Sequence, residues 1–285
     1  QFWQDAGEPQ RNRFVHLSDS YHGDTAAAMS LSDISTFKAR FRAITFETRS
    51  FDSADVLEND DIAAVIVEPV VQAAAGMRIV PYERYLPLRK MKPLLIVDEI
   101  ATGFGRTGSM FAHQQLGLKP DILALGKGIT GGALALSATM VRERIYDAFL
   151  GALSETKQLF HGHSYAGNPI ACAAALENVR IFDEEETMKR VDAATVHVAQ
   201  ALESVRRHPG VRQVRLAGLM AGIELEPVHL PKPQGANAAW DVANTLYERG
   251  HFTRPIGNVV QFVPPLTSAP ADLDSFLEAL LETLG

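Results

Sequence analysis

The chain has 285 residues, 46% of them hydrophobic and 21% charged, which is typical of a globular protein with one large core or two domains. A net charge of -7 argues against the clustered basic surface that binds nucleic acid. Every apolar stretch is interrupted before it reaches the length of a transmembrane helix, so we expect no membrane partner. The lone Cys172 indicates the cytoplasm.

Four short apolar runs in the first half of the chain predict strands, and helix-like segments separate them. Runs that are apolar on both faces favour the α/β class, with a mostly parallel sheet and helices on both of its faces. Polar residues follow each run, at the sheet edge where ligands bind in such folds, although strand ends also become polar on reaching the surface. The predicted strands are 14–17, 62–67, 94–97 and 121–125.

The second half of the chain predicts a long helix over 168–183 and then a smaller α+β domain. We expect a large domain over 1–165, a connecting helix over 166–185 and a small C-terminal domain over 186–285. The elements predicted in the small domain are helices 191–206, 238–249 and 273–284 and strands 222–225 and 259–263.

Asp98 and Lys127 are the strongest candidates for chemistry. Each follows a predicted strand, so they share one sheet edge if the two strands are neighbours. A desolvated lysine amine can form a Schiff base, and an aspartate can keep a pyridine nitrogen protonated. A structural ion pair between the two side chains would fit the same spacing.

Two further residues extend this candidate site. Ile100 points to the same face as Asp98 on an extended strand, so it can pack against a ring that Asp98 touches. Tyr21 follows the first predicted strand and places an aromatic ring at the same edge. A tyrosine in the core would give the same pattern, so Tyr21 counts only together with the others.

Seven segments resemble motifs of the class III aminotransferases of fold type I, and they occur in the family's order along most of the chain. The segment that begins at Asp98 reads DEIATGFGRTG, and a later GK pair contains Lys127; both are highly specific for the class. The segments are 21–30, 68–77, 98–108, 120–127, 130–132, 160–169 and 254–258.

The resemblance implies a pyridoxal 5'-phosphate enzyme. Lys127 is expected to bind the cofactor covalently and then to act as acid and base. Asp98 is expected to hold the proton of the pyridine nitrogen, with Tyr21 and Ile100 on the two faces of the ring. Ser164 lies where family members place a donor to the phosphate of the neighbouring subunit's cofactor, which implies a homodimer with shared active sites.

The resemblance also assigns the substrate residues, which are Arg254, Arg106 and, in addition to its place at the ring, Tyr21. Arg254 is expected to bind a substrate carboxylate as a bidentate fork, unless it is a surface arginine. Arg106 either faces the substrate or braces the glycine-rich turn that contains it. Glu68 is expected to help to order the site around Arg254 and the cofactor. His161 and His163 lack a third ligand, so we predict no metal.

The expected reaction is transfer of an amino group to 8-amino-7-oxononanoate, giving 7,8-diaminononanoate for biotin, with adenosylmethionine or lysine as the donor. One alternative is another class III ω-aminotransferase acting on ornithine, 4-aminobutyrate or a β-amino acid. Another is a non-catalytic remnant, because the family's N-terminal phosphate-binding loop does not occur in this sequence. We expect that loop to lie upstream of Gln1. The stretches 30–62 and 82–94 also look shorter than in the family.

Overall fold

The computed structural model describes residues 1–51, 54–230 and 238–285, which form two units. Each unit collects segments that are distant in sequence, and the domain boundaries predicted above stay a prediction. Unit 1 comprises Gln1–Pro69, Pro81–Thr102 and His113–Arg180; unit 2 comprises Val70–Val80, Gly103–Ala112 and Ile181–Gly285.

Unit 1 is built on a six-stranded sheet with the order β2-β1-β3-β6-β7-β8. All its neighbouring pairs are parallel except β7 and β8, which confirms the predicted mostly parallel α/β sheet. The strand β3 is buried at every position, and each Val or Ile side chain there contributes about 1.5–3 kcal/mol to stability. The strands are β1 Arg13–Leu17, β2 Arg49–Phe51, β3 Ile62–Val67, β6 Leu94–Asp98, β7 Ile122–Leu125 and β8 Ala138–Val141.

The four strands predicted in the first half are all present, whereas β2 and β8 were not predicted. β2 has only three residues, and three of the four residues of β8 are exposed, so neither forms a buried apolar run. The segments between strands contain helices, most of them short. Those that lie in unit 1 or extend from it are α1 Phe2–Asp5, α2 Ala26–Ser30, α3 Ser35–Lys38, α4 Ala112–Gln115, α5 Glu143–Ala148 and α6 Pro169–Glu184.

Short 3-10 helices complete the connections. The link before β6, which looks shorter than in the family, contains nine residues of 3-10 helix, Tyr82–Lys90. The others are Ala39–Ile44, Ala54–Glu58, Ala73–Ala75, Lys127–Thr130, Leu153–Glu155 and Pro227–His229.

Unit 2 has an antiparallel sheet with the order β11-β10-β9, against which helices pack. The predicted helices and strands of this region are present, while β9 was not predicted because three of its seven residues are Arg or Gln. A two-stranded ribbon of β4 and β5 also belongs to this unit. The elements are β4 Val71–Gln72, β5 Arg78–Ile79, α7 Thr187–Arg206, β9 Val211–Ala217, β10 Met220–Leu225, α8 Ala238–Glu248, β11 Val259–Phe262 and α9 Pro270–Leu284.

Among the described residues, no helix combines the length and the apolar character that crossing a membrane requires.

His16 is a buried ionisable residue in β1. Its Nδ1 lies 2.9 Å from the Leu17 carbonyl oxygen and 3.2 Å from Ser20 Oγ, and its Nε2 lies 3.1 Å from Thr48 Oγ1. Burial lowers the pKa of His16 below its ordinary value of 6.5, and this effect outweighs the hydrogen bond to Leu17, which raises it. The unfolded chain therefore binds a proton more readily than the folded protein. The contribution of His16 to stability is complete above its unfolded pKa and is lost as the pH falls through its folded pKa.

We expect the His16→Gln variant to lose less melting temperature than the wild type when the pH falls from about 7.5 to about 5.5. Glutamine keeps polar atoms in the strand but has no proton to gain. Differential scanning calorimetry at the two pH values measures the difference. The matched control is His161→Gln at an exposed position, which should behave like the wild type. An equal loss in His16→Gln and the wild type would contradict the assignment.

Candidate active site

The carboxyl ends of the parallel strands in unit 1 bring the candidate residues to one sheet edge. Asp98 is the last residue of β6 and pairs with Ala124 of the neighbouring β7. Lys127 follows the end of β7 after one intervening residue, and Glu68 directly follows β3. The sequence predicted that Asp98 and Lys127 share one sheet edge if their strands are neighbours. β6 and β7 are neighbours, so this condition is met.

Asp98 is 7% exposed, and two donors hold its carboxylate. His22 Nδ1 lies 2.8 Å from its Oδ2, and the backbone N–H of Ile100 donates to its Oδ1 at 3.0 Å. An ionised carboxylate only accepts, so Nδ1 of His22 bears the proton in this pair. The His22 side chain is 2% exposed, and its Nε2 is buried without a hydrogen-bond partner among the described residues.

His22 was not identified from the sequence as a site residue. It stands next to Tyr21 in the first family-like segment, and that position was the only available signal. The contact with Asp98 joins residues 76 positions apart, and no local pattern reveals such a pair. The structure therefore adds His22 to the group that surrounds Asp98.

Tyr21 is held through its backbone, its hydroxyl and its ring. Its N–H donates to Glu68 Oε2 at 3.0 Å, and its hydroxyl donates to Asp24 Oδ1 at 2.8 Å. The ring meets Phe37 edge to face, with 5.4 Å between the ring centroids. Glu68 is thus a direct partner of Tyr21, and the predicted link from Glu68 to Arg254 stays a prediction.

Lys127 presents an exposed side chain at the start of the 3-10 helix Lys127–Thr130. Its backbone has a φ of 43°, a left-handed conformation that is unfavourable for a residue with a Cβ. The preceding Gly126 lies against Ile100, since a Cβ at position 126 would be 3.3 Å from Ile100 Cγ2. No described residue forms a hydrogen bond or an ion pair with the Lys127 amine.

Ser164 stays apart from this group within one chain. It is exposed in a turn, and across the described ranges no hydrogen bond joins it to Asp98, Tyr21 or Lys127. His163 Nδ1 accepts a hydrogen bond from the backbone of Tyr165 at 3.1 Å, so His163 has a local role in that turn. The described residues contain no group of three potential metal ligands.

Glu99, the other acidic residue of the DE pair, is fully buried. It accepts hydrogen bonds from the Thr102 hydroxyl at 2.7 Å and from the His113 backbone N–H at 2.7 Å. Thr102 and His113 stand on either side of the glycine-rich segment 103–112. Glu99 therefore holds the two ends of that segment together, which its place in the motif alone did not indicate.

The two candidate substrate arginines belong to unit 2. Arg106 Nη1 donates to the Pro264 carbonyl at 2.5 Å, and burial lowers the pKa of the Arg106 guanidinium. The Arg106 carbonyl accepts from the backbone N–H of Leu219 at 3.0 Å. Gly218 allows this contact, because a Cβ there would be 2.4 Å from the Thr107 carbonyl carbon. The Arg106 side chain thus ties its turn to the segment that contains Pro264, and its expected place at the substrate stays a prediction.

Arg254 is exposed, and its backbone carbonyl accepts a hydrogen bond from the Gln261 side chain at 2.5 Å. Its guanidinium makes no ion pair with any residue that the structure describes. A guanidinium without a carboxylate partner can bind one from a ligand.

The sequence profile of the aminotransferase class-III family matches residues 1–284. The chain is 38% identical to the adenosylmethionine-8-amino-7-oxononanoate aminotransferase of Anoxybacillus flavithermus, and the match covers 99% of the chain and 70% of the relative. It is 37% identical to the enzyme of the same name from Aquifex aeolicus, over 98% of the chain and 69% of the relative.

Solved structures agree with the family match. The structure of the adenosylmethionine-8-amino-7-oxononanoate aminotransferase of Methanocaldococcus jannaschii superposes with a TM-score of 0.90 at 33% identity, covering 99% of this chain and 70% of that one. A PLP-bound amine transaminase from an uncultivated Pseudomonas species gives a TM-score of 0.87 at 30% identity, covering 99% and 71%. The chain therefore belongs to the class III aminotransferases and is a transaminase that depends on pyridoxal phosphate.

Proposed function

We propose that the chain transfers an amino group to 8-amino-7-oxononanoate and forms 7,8-diaminononanoate for biotin synthesis. The observation that carries this proposal is the identity of up to 38% with relatives that are named for this substrate and that match almost the whole chain. Their name also supports adenosylmethionine as the amino donor. Lysine is the other donor that the sequence left open.

The residues at the sheet edge fit pyridoxal phosphate. A carboxylate can accept about four hydrogen bonds, and Asp98 receives two within the described chain, which leaves capacity for a ring N–H. The Lys127 amine is exposed and unpaired within the same residues, so it is accessible to an aldehyde. When bound, the cofactor supplies an electron sink for charge that develops at the substrate carbon.

The protein residues then have distinct tasks. Lys127 would hold the cofactor, and its Nζ would act as the base that removes the proton from the substrate carbon that carries the amino group. Asp98 holds a proton at the ring nitrogen, and His22 orients Asp98. Tyr21 and Ile100 pack against the ring of the cofactor.

We further propose that Arg254 binds the substrate carboxylate, with Arg106 forming part of the substrate pocket while it braces its own loop. Ser164 donates to the cofactor phosphate of a neighbouring subunit, in a homodimer with shared active sites. The exposure of Ser164 supports this role, since a donor to another subunit must face outward. The lone Cys172 supports a cytoplasmic location.

A second candidate function is amine transamination without a carboxylate requirement. The similarity to the amine transaminase described above favours it. Substrates of that type need no fork for a carboxylate, so the two functions differ in their dependence on Arg254.

We expect Lys127→Ala to abolish covalent capture of pyridoxal phosphate. The purified chain is incubated with the cofactor and reduced with borohydride, and the labelled peptide is identified by mass spectrometry. The wild type should carry the label at Lys127. The matched control is Lys119→Ala, which removes an exposed lysine and should retain the label. A wild-type chain without label at Lys127 would instead support the non-catalytic remnant.

For Arg254→Ala we expect the KM for 8-amino-7-oxononanoate to rise about 30-fold, the cost of a lost charged hydrogen-bond pair. A simple diamine without a carboxylate should keep its KM. Steady-state kinetics with both substrates measure the difference. The control Arg207→Ala removes another exposed arginine of unit 2 and should change neither KM. If Arg254→Ala keeps the wild-type KM for 8-amino-7-oxononanoate, the result favours amine transamination.

Replacing His22 tests the support of Asp98. His22→Phe keeps an aromatic ring but removes the donor, so we expect the dissociation constant of pyridoxal phosphate to rise about tenfold. His22→Asn can place an N–H near the position of Nδ1 and should recover part of this loss. Fluorescence titration of the cofactor measures both constants.

The control for this series is His197→Phe. His197 Nε2 lies 2.7 Å from Asp274 Oδ1, and both side chains are more than 30% exposed, so it is a surface histidine–aspartate pair. We expect the His197→Phe variant to bind the cofactor with the affinity of the wild type. Equal affinities for His22→Phe and His197→Phe would show that Asp98 needs no support from His22.

A further inference from the structure

The turn after β7 fixes the backbone from which Lys127 extends. It runs through the 3-10 helix Lys127–Thr130 and ends at Gly131, which has a φ of 61°. Its hydrogen bonds are mostly local: Ile129 donates to the Gly126 carbonyl, and Gly131 donates to the Gly128 carbonyl, both at 3.1 Å. Local bonds of this kind move together with the turn and do not anchor it.

Asn178 of α6 provides the anchor. Its Nδ2 donates to the Gly128 carbonyl at 2.9 Å and to the Ile129 carbonyl at 3.2 Å, across 50 and 49 positions of the chain. In the part of the chain that the structure describes, no other hydrogen bond from a distant residue reaches this turn. The side-chain amide thus ties the turn to a helix of 16 residues.

Gly131 makes room for this amide. A Cβ at position 131 would lie 2.9 Å from Asn178 Oδ1, closer than side-chain carbons come to such atoms. Thr130 is buried, and its hydrogen bonds are also local: its hydroxyl donates to the Leu134 carbonyl at 2.6 Å, and its own carbonyl accepts from the Ala133 N–H at 3.2 Å. The glycine and the asparagine therefore form one matched contact between the turn and α6.

We propose that Asn178 is a positioning residue for Lys127. By holding the carbonyls of the two residues that follow Lys127, it sets the direction in which the lysine extends from a strained backbone. The inference deepens the proposed function, because it rests on the capture of pyridoxal phosphate by Lys127. It does not depend on the identity of the amino acceptor.

The test is Asn178→Ala, with Asn244→Ala as the matched control on the exposed face of α8. The capture of pyridoxal phosphate at Lys127 is followed over time by borohydride trapping and mass spectrometry, without any amino substrate. We expect the rate of capture to fall about tenfold in Asn178→Ala, because two anchoring hydrogen bonds are lost. Amide exchange in a peptide covering 126–133 should accelerate, and the melting temperature should stay close to that of the wild type.

Kinetics separate positioning from a general loss of structure. We expect kcat to fall about as much as the rate of capture, while KM changes less than about twofold, since the substrate groups are untouched. Gly131→Ala is the second variant, which disturbs the same contact from the turn and should slow capture in the same way. It also tests the proposal if Asn178→Ala does not fold.

Capture at the wild-type rate in both folded variants would overturn the proposal, even if amide exchange in the turn became faster. Absence of label at Lys127 in the wild type would overturn it too, because the lysine would then have no cofactor to position. A wild-type chain that captures the cofactor but does not use 8-amino-7-oxononanoate refutes the substrate assignment alone. The comparison of Asn178→Ala with Asn244→Ala remains decisive in that case.

Discussion

The parallel pairing of β6 with β7 is the constraint on which the candidate site depends. Both strands run in the same direction inside one sheet, so their carboxyl ends deliver Asp98 and Lys127 to one edge. The pairing is stabilised by apolar side chains far from the chemistry, such as Leu95 and Val97, which are at most 3% exposed. The core and the site are therefore coupled: a shift of register in these strands would separate the carboxylate from the amine.

Around that pairing, further polar residues hold the candidate site residues in place. Asp98 is oriented by His22, Tyr21 by Glu68 and Asp24, and the turn of Lys127 by Asn178. The supporting residues come from three separate parts of the chain: His22 and Asp24 from one, Glu68 from the second and Asn178 from the third. A rigid sheet edge with side chains held in this way needs little rearrangement on binding a ligand, which is the condition for efficient electrostatic catalysis.

The sequence predicted the parts of the structure that leave a periodic signal. Strands such as β3 have an uninterrupted apolar pattern, and their order with the helices between them indicated a parallel sheet. Asp98 and Lys127 were predicted from their place after such strands, and the family resemblance supplied their roles. β8 was missed because an exposed antiparallel strand at the sheet edge carries no such pattern.

The supporting residues could not be predicted in this way. His22 and Asn178 act through contacts with residues 49 to 76 positions away, and these contacts exist only once the sheet and helices have packed. Asn178 in particular lies in a helix rich in alanine, where a polar residue normally indicates a solvent-facing position. Their detection requires coordinates, because their partners are backbone carbonyls or a single carboxylate oxygen.

Gly218 has a consequence for how this protein can change by mutation. It rests against main-chain atoms of residues 106–108, so a larger side chain there cannot be accommodated by trimming a neighbouring side chain. Compensation would have to come from an altered course of the main chain, which rarely arises from one substitution. In a library of random variants, position 218 should therefore tolerate few replacements even though it carries no functional group. The turn between β9 and β10, which contains Gly218, and residues 106–108 are then expected to diverge together between relatives.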